Sequence, residues 1–181
     1  MGGRLALYLA VHYPEHFASL ILESASPGLK TEAEREERRQ RDDALADRIE
    51  REGLEAFVDF WESLPLWHSQ KQLPPETRAD LRQQRLQNNP LGLANSLRGM
   101  GTAVQPTFWE NLPDLHLPAL FITGELDKKF VKIAQEMSAL LPKASHIIIP
   151  DSGHTLHLEK PTQYTQTVVS FLKNIEGNHV S

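Results

Sequence analysis

Ala119-Leu-Phe-Ile-Thr-Gly-Glu-Leu-Asp127 and, downstream, Ile147-Ile-Ile-Pro-Asp-Ser-Gly-His154 decide how this chain is read. Each is a short apolar run followed by a glycine-bearing turn and one polar residue able to carry acid–base chemistry. Continuous apolar runs of this length predict strands buried on both faces of a sheet. Loops leaving the carboxyl ends of such strands are where open α/β folds hold their chemistry. A carboxylate at Asp127 would fix the tautomer of an imidazole at His154 and stabilise it once protonated, so that the ring can draw a proton from a hydroxyl. Taken singly, a Gly-x-x-Asp turn and a Gly-His pair are ordinary turn features. Their order after two apolar strands is what points to chemistry.

Outward from these strands the pattern alternates. Residues 130–141 read as a helix with Ile133, Met137 and Leu140 on one face, closed by Pro142 before a strand at 145–149. Pro161 suits the first turn of a last helix, with Tyr164, Val168, Phe171, Leu172 and Ile175 as its inward stripe and Gly177 as its stop. Upstream, residues 3–13 are apolar around most of a helix, which predicts a buried one. Pro14 ends it, a strand follows at 19–22, and Ser24-Ala-Ser-Pro-Gly28 is a loop by composition.

Between the two halves lies a helical block. Residues 30–52 are dominated by Glu, Asp and Arg, with Leu45 and Ile49 as a thin apolar seam. They predict a solvated helix laced with i,i+4 pairs such as Glu34–Arg38. Residues 54–66 carry Phe57, Phe60 and Trp61 at helical spacing. Pro74-Pro75 restarts a helix through Leu81 and Arg85, another runs over 91–100, and 106–110 opens a short one. The expected architecture is α/β, with three parallel strands, flanking helices and an inserted helical cap. Its parts are residues 1–29, a cap over 30–112, and 113–181.

With 181 residues the chain is long enough for a sizeable core. A net charge of −5 and a pI near 5.9 argue against nucleic acid as the main partner. The absence of cysteine removes disulfide and thiolate chemistry. No apolar run approaches the roughly 18 residues of a membrane span, and no signal-peptide pattern is visible. A soluble cytoplasmic protein is the expectation.

These residues resemble the α/β-hydrolase fold, whose triad runs in the order Ser, Asp or Glu, His and whose nucleophile elbow reads Gly-x-Ser-x-Gly. The opening Met1-Gly2-Gly3-Arg4 is similar to the second half of such an elbow. The resemblance implies that the serine lies one residue before Met1, and that the Met1 N–H serves the oxyanion hole. An N-terminally shortened chain is thus expected, from an internal Met read as a start or from a shortened gene product. Neither Ser152, two residues from His154, nor Ser24 or Ser26 sits at an elbow.

Within the fold the chain resembles the 2-succinyl-6-hydroxy-2,4-cyclohexadiene-1-carboxylate synthases of menaquinone biosynthesis. The resemblance is carried by Ser26-Pro-Gly-Leu29, Glu34-Arg-Glu-Glu-Arg38, Arg85-Leu-Gln-Asn-Asn89, Ala103-Val-Gln-Pro106, Gly124-Glu-Leu-Asp-Lys-Lys-Phe130 and Ser152-Gly-His154. It implies a carbon–oxygen lyase that eliminates pyruvate from a tricarboxylate, with a Ser-His-Asp triad and no cofactor or metal. Arg offers a bidentate fork for each carboxylate. Arg4, Arg38 and Arg85 are the implied substrate-binding cations, and Trp61 or its neighbour Phe60 the aromatic that shapes the pocket. Each has a structural alternative: Arg38 could pair with Glu34 or Asp42, Arg85 could be a surface charge, and Trp61 could be cap core. A hydrolase of esters or carbon–carbon bonds and a non-catalytic truncated product are the competing functions. Oligomeric state is left open by the sequence.

Overall fold

The computed structural model describes residues 2–178. They divide into two units, one formed by residues 2–27 with 108–178 and one by Gly28–Thr107. Phe108 and Leu112 go with the first unit because both are buried in its core.

The first unit is built on a three-stranded parallel sheet in the order β1 (Leu20–Glu23), β2 (Ala119–Gly124), β3 (Ala144–Ile149). Every residue of β2 is buried, as its unbroken apolar run requires. Its side chains alternate between two cores. Ala119 and Phe121 join Leu20 and Leu22 of β1 under α1 (Gly2–His12), a 3₁₀ segment at Trp109–Asp114, and α5 (Lys128–Leu140). Leu120 and Ile122 face the other way, with Ile149, against α6 (Leu156–Glu159) and α7 (Pro161–Asn178). Helices on both faces of a parallel sheet are the α/β architecture that the alternating pattern implied.

Several local expectations are corrected. β3 is not buried on both faces, since Ile147 and Ile148 are 42% and 41% exposed. It ends the sheet with β2 as its one neighbour among the described residues, so a central-strand composition sits at an edge. α1 buries Leu7 and Ala10 while Leu5 and Tyr8 stay exposed, so it is a one-sided helix here. Leu140 and Leu172 are exposed, and Leu141 takes the inward place at the end of α5. Gly177 does not stop α7, which runs to Asn178. The helix expected from 106 is instead a 3₁₀ segment that starts at Trp109.

The second unit is helical. α2 (Glu32–Ser63) is two helices joined at Gly53, whose φ of 84° only glycine adopts without strain. Thr31 caps it in a capping box: its hydroxyl accepts the Glu34 N–H at 3.2 Å, and Glu34 Oε2 accepts the Thr31 N–H at 2.9 Å. The expected Glu34–Arg38 pair is therefore absent. Glu34 is turned back to the helix start, where its charge also meets the helix dipole. After a 3₁₀ segment at Pro65–Gln72 come α3 (Pro75–Leu86) and α4 (Pro90–Met100). α4 begins with Pro90 and is capped by the Asn89 side chain, which accepts the Gly92 N–H at 2.9 Å. It lies along α2, where Ala46, Ile49 and Ala94 are fully buried. Arg98 reaches from α4 to Asp47 at 2.6 Å and Glu50 at 2.7 Å on α2.

Candidate active site

β2 ends at Gly124, and the turn that follows places Asp127 as the N-cap of α5. Asp127 Oδ1 accepts the Phe130 N–H at 3.4 Å, and its backbone N–H is held by Gly124 O at 3.0 Å. The helix cap thus orients the carboxylate and leaves Oδ2 for another donor. That donor is His154, whose Nδ1 lies 2.6 Å from Oδ2. The Asp127 side chain is 5% exposed and that of His154 20%. A buried carboxylate needs such a partner, and a short charge-assisted hydrogen bond is the strong kind. Because a carboxylate accepts, Nδ1 carries the proton and Nε2 is the ring's basic nitrogen. Phe130 meets the imidazole edge-on, with ring centroids 4.7 Å apart.

The loop that carries His154 is stitched to the Asp127 loop along its length. Glu125 N–H bonds Ile149 O at 3.0 Å, and Leu126 N–H bonds Ser152 O at 2.9 Å. Glu125 Oε2 accepts the N–H of Asp151, a residue with φ of 50°. Ser152 is fully buried and its hydroxyl donates to Ile149 O at 2.8 Å, so it braces the turn. Gly124 lets the two loops meet: a Cβ there would lie 2.1 Å from Gly153 O and 2.3 Å from Ser152 O. Two positive-φ residues, Ser24 after β1 and Asp151 after β3, mark the carboxyl ends of the flanking strands.

The remaining sequence-derived positions fall apart by unit. Met1, expected to serve an oxyanion hole, lies outside the described residues. Arg4 is half-buried on α1, and the tight glycine beside it is Gly3, where a Cβ would lie 2.7 Å from that of Ala25. In the second unit, Arg38 Nε pairs with Asp42 Oδ1 at 2.8 Å, and Asp42 is buried. Arg85 donates to Glu62 Oε1 at 2.7 Å and Gln70 Oε1 at 2.9 Å. Glu62 also takes Arg82 at 2.9 Å, and Lys71 and Arg78 join these side chains around a cavity of about 350 Å³. Trp61 stacks between Phe57 and Trp67, with centroids at 5.7 and 5.5 Å.

Sequence reading missed Glu159, which accepts the N–H groups of both Gly153 and Thr155. The Thr155-to-Glu159 spacing before Pro161 was the available signal, but a four-residue helix has no periodicity to reveal it. Among the described residues no group of three or more His, Asp or Glu could hold a metal ion, and no helix is long and apolar enough to cross a membrane.

A parallel sheet with an acid after one strand and a hydrogen-bonded histidine after the next defines the class. The alpha/beta hydrolase fold family matches residues 1–161, and the chain belongs to it. It is 50% identical over 175 residues to the putative 2-succinyl-6-hydroxy-2,4-cyclohexadiene-1-carboxylate synthase of Bacillus subtilis strain 168, covering 97% of this chain and 64% of that protein. It is 34% identical over 173 residues to the enzyme of the same name from Salmonella paratyphi B, of which it spans 66%. The structure of MenH from S. aureus matches 96% of this chain and 65% of that one, with a TM-score of 0.93 and 42% identity. The chain thus spans just under two thirds of each of these three relatives.

Proposed function

We propose that this chain supplies the Asp and His members of a Ser-His-Asp site in a 2-succinyl-6-hydroxy-2,4-cyclohexadiene-1-carboxylate synthase. The observation that carries the reading is the 2.6 Å bond between Asp127 Oδ2 and His154 Nδ1. The half-identical Bacillus subtilis relative supports the choice of reaction. In this reading the serine precedes Met1, and the Met1 N–H is one oxyanion donor. His154 Nε2 takes the serine proton and the resulting base removes a substrate proton; a ring double bond forms as the ring carbon–oxygen bond breaks, and the departing enolpyruvate takes up a proton to become pyruvate. Asp127 stabilises the imidazolium meanwhile.

Arg4, Arg38 and Arg85 take the carboxylates of the substrate, 2-succinyl-5-enolpyruvyl-6-hydroxy-3-cyclohexene-1-carboxylate. The cap expected over residues 30–112 is read here as the helical unit of residues 28–107, and Trp61 shapes its aromatic part. Four cations line the second unit's cavity against Glu62 and the Asp59 carboxylate that pairs with Arg82 at 2.7 Å, a surplus of positive charge that supports an anionic ligand. The reaction needs neither metal nor nucleotide, and the enzyme works in the cytoplasm. A hydrolase reading keeps one specific support: a thermophilic esterase of Thermogutta terrifontis superposes with a TM-score of 0.77 at 28% identity.

The two readings separate in a protein extended upstream through a Gly-x-Ser, assayed for pyruvate release and for acyl-ester cleavage. The lyase reading expects pyruvate, weakened by Arg38→Ala and by Arg85→Ala by about 1–3 kcal/mol each, because a buried carboxylate then loses its partner. Ester cleavage without pyruvate release, or indifference to both changes, refutes it. The chain of 181 residues assayed alone is expected to release none.

A further inference from the structure

One carboxylate holds the backbone on both sides of His154. Glu159 Oε2 accepts the Gly153 N–H at 2.6 Å. Its Oε1 accepts the Thr155 N–H at 3.1 Å and the Thr155 hydroxyl at 2.9 Å. Glu159 is itself anchored, because it closes α6, whose Leu156 is fully buried, and Pro161 starts α7 two residues later. α7 packs Tyr164, Val168 and Phe171 onto the same core as Leu156.

We propose that Glu159 is the positioning residue of His154. A side chain's direction follows from the backbone on either side of it, and here both flanking peptides are tied to a single fixed group. The clamp sets where the imidazole leaves the chain and so brings Nδ1 onto Asp127. It needs both carboxylate oxygens, since the two amides are bound by different ones. A glutamine keeps the shape but turns one acceptor into a donor facing an N–H, so one arm must open. The proposal deepens the reading of His154 as the base, yet its test makes no use of the reaction.

The test compares the ¹⁵N-labelled chain with its Glu159→Gln variant. Long-range ¹H–¹⁵N spectra report the protonation of each imidazole nitrogen, and hydrogen exchange reports the Gly153 and Thr155 amides. Glu159→Gln is expected to speed exchange of at least one of those amides by roughly tenfold or more, the worth of a hydrogen bond to a charged group. It should also cost His154 its fixed Nδ1–H signature. His146, whose Nε2 lies 2.8 Å from Thr123 Oγ1, is the internal control and should not change. Should Glu159→Gln fail to fold, Glu159→Asp keeps the charge but is one methylene shorter, so that it cannot hold both amides. A folded variant with a lower urea midpoint but wild-type His154 signals and amide exchange would overturn the proposal. Failure of the pyruvate assay with the clamp result intact would instead count against the functional reading alone.

Discussion

Gly124→Ala adds one methyl group where the two active-site loops touch. The new Cβ would lie 2.1 Å from Gly153 O, 2.3 Å from Ser152 O and 2.6 Å from Ser152 C. All three are backbone atoms, so no side-chain rotation relieves the clash. Ordinary contact begins near 3.4 Å, so the loops must part by about 1.3 Å. A displacement of that size along the bond would take His154 Nδ1 from 2.6 to about 3.9 Å from Asp127 Oδ2, beyond hydrogen-bonding reach. Overpacking of this kind costs ~1–3 kcal/mol, and a lost hydrogen bond to a charged group a similar amount. Relief of one comes through the other, so the sum overstates the effect and about 3 kcal/mol is expected. Urea unfolding measures it, with the Nδ1–H resonance of His154 as the local readout. Gly99→Ala is the matched control, since a Cβ there meets nothing within 4 Å, and it should stabilise by ~0.5–1 kcal/mol. A Gly124→Ala variant as stable as the wild type, with His154 unchanged, would refute the picture of two loops in backbone contact.

Burial holds the His146 imidazole below its ordinary 6.5. As pH falls through 6.5, the unfolded chain takes up a proton there that the folded chain refuses, so this group's contribution to stability is present at pH 7 and is lost on acidification. Urea midpoints from pH 7 to 5 should fall more steeply for wild type than for His146→Gln, and parallel curves would contradict this. Thr31→Ala removes the capping box of α2 and should cost about 1 kcal/mol, whereas Thr31→Ser should cost little. Equal midpoints for both variants in urea would show that the cap does not stabilise the helix.

The pair at the heart of the site was legible because its two signals are local. An apolar run ending at a glycine predicts a strand and its exit, and Asp127 and His154 follow directly. Their contact is then enforced by parallel register, since Gly124 and Ile149 are paired neighbours at the ends of β2 and β3. Whether a strand is central or lateral is not local, so Ile147 and Ile148 were misread as fully buried. Arg38 had carboxylates at i−4 and i+4, and spacing could not choose between them. The choice was made by the helix start, where Glu34 serves the cap and leaves Asp42 to take the arginine. Glu159 escaped because its bonds to the Gly153 and Thr155 amides depend on how the turn around His154 folds back, and the Thr155-to-Glu159 spacing is too short to show a helical period.

In the proposed function the Asp127–His154 pair drives proton transfer in pyruvate elimination. A protein extended upstream through a Gly-x-Ser, as the proposed function requires, is purified with its His154→Ala and Asp127→Asn variants and assayed for pyruvate release at saturating substrate. Both variants are expected to fold, and each to lose on the order of a thousandfold or more in kcat, as removal of a triad member does elsewhere. A His154→Ala protein that releases pyruvate at the wild-type rate would contradict it.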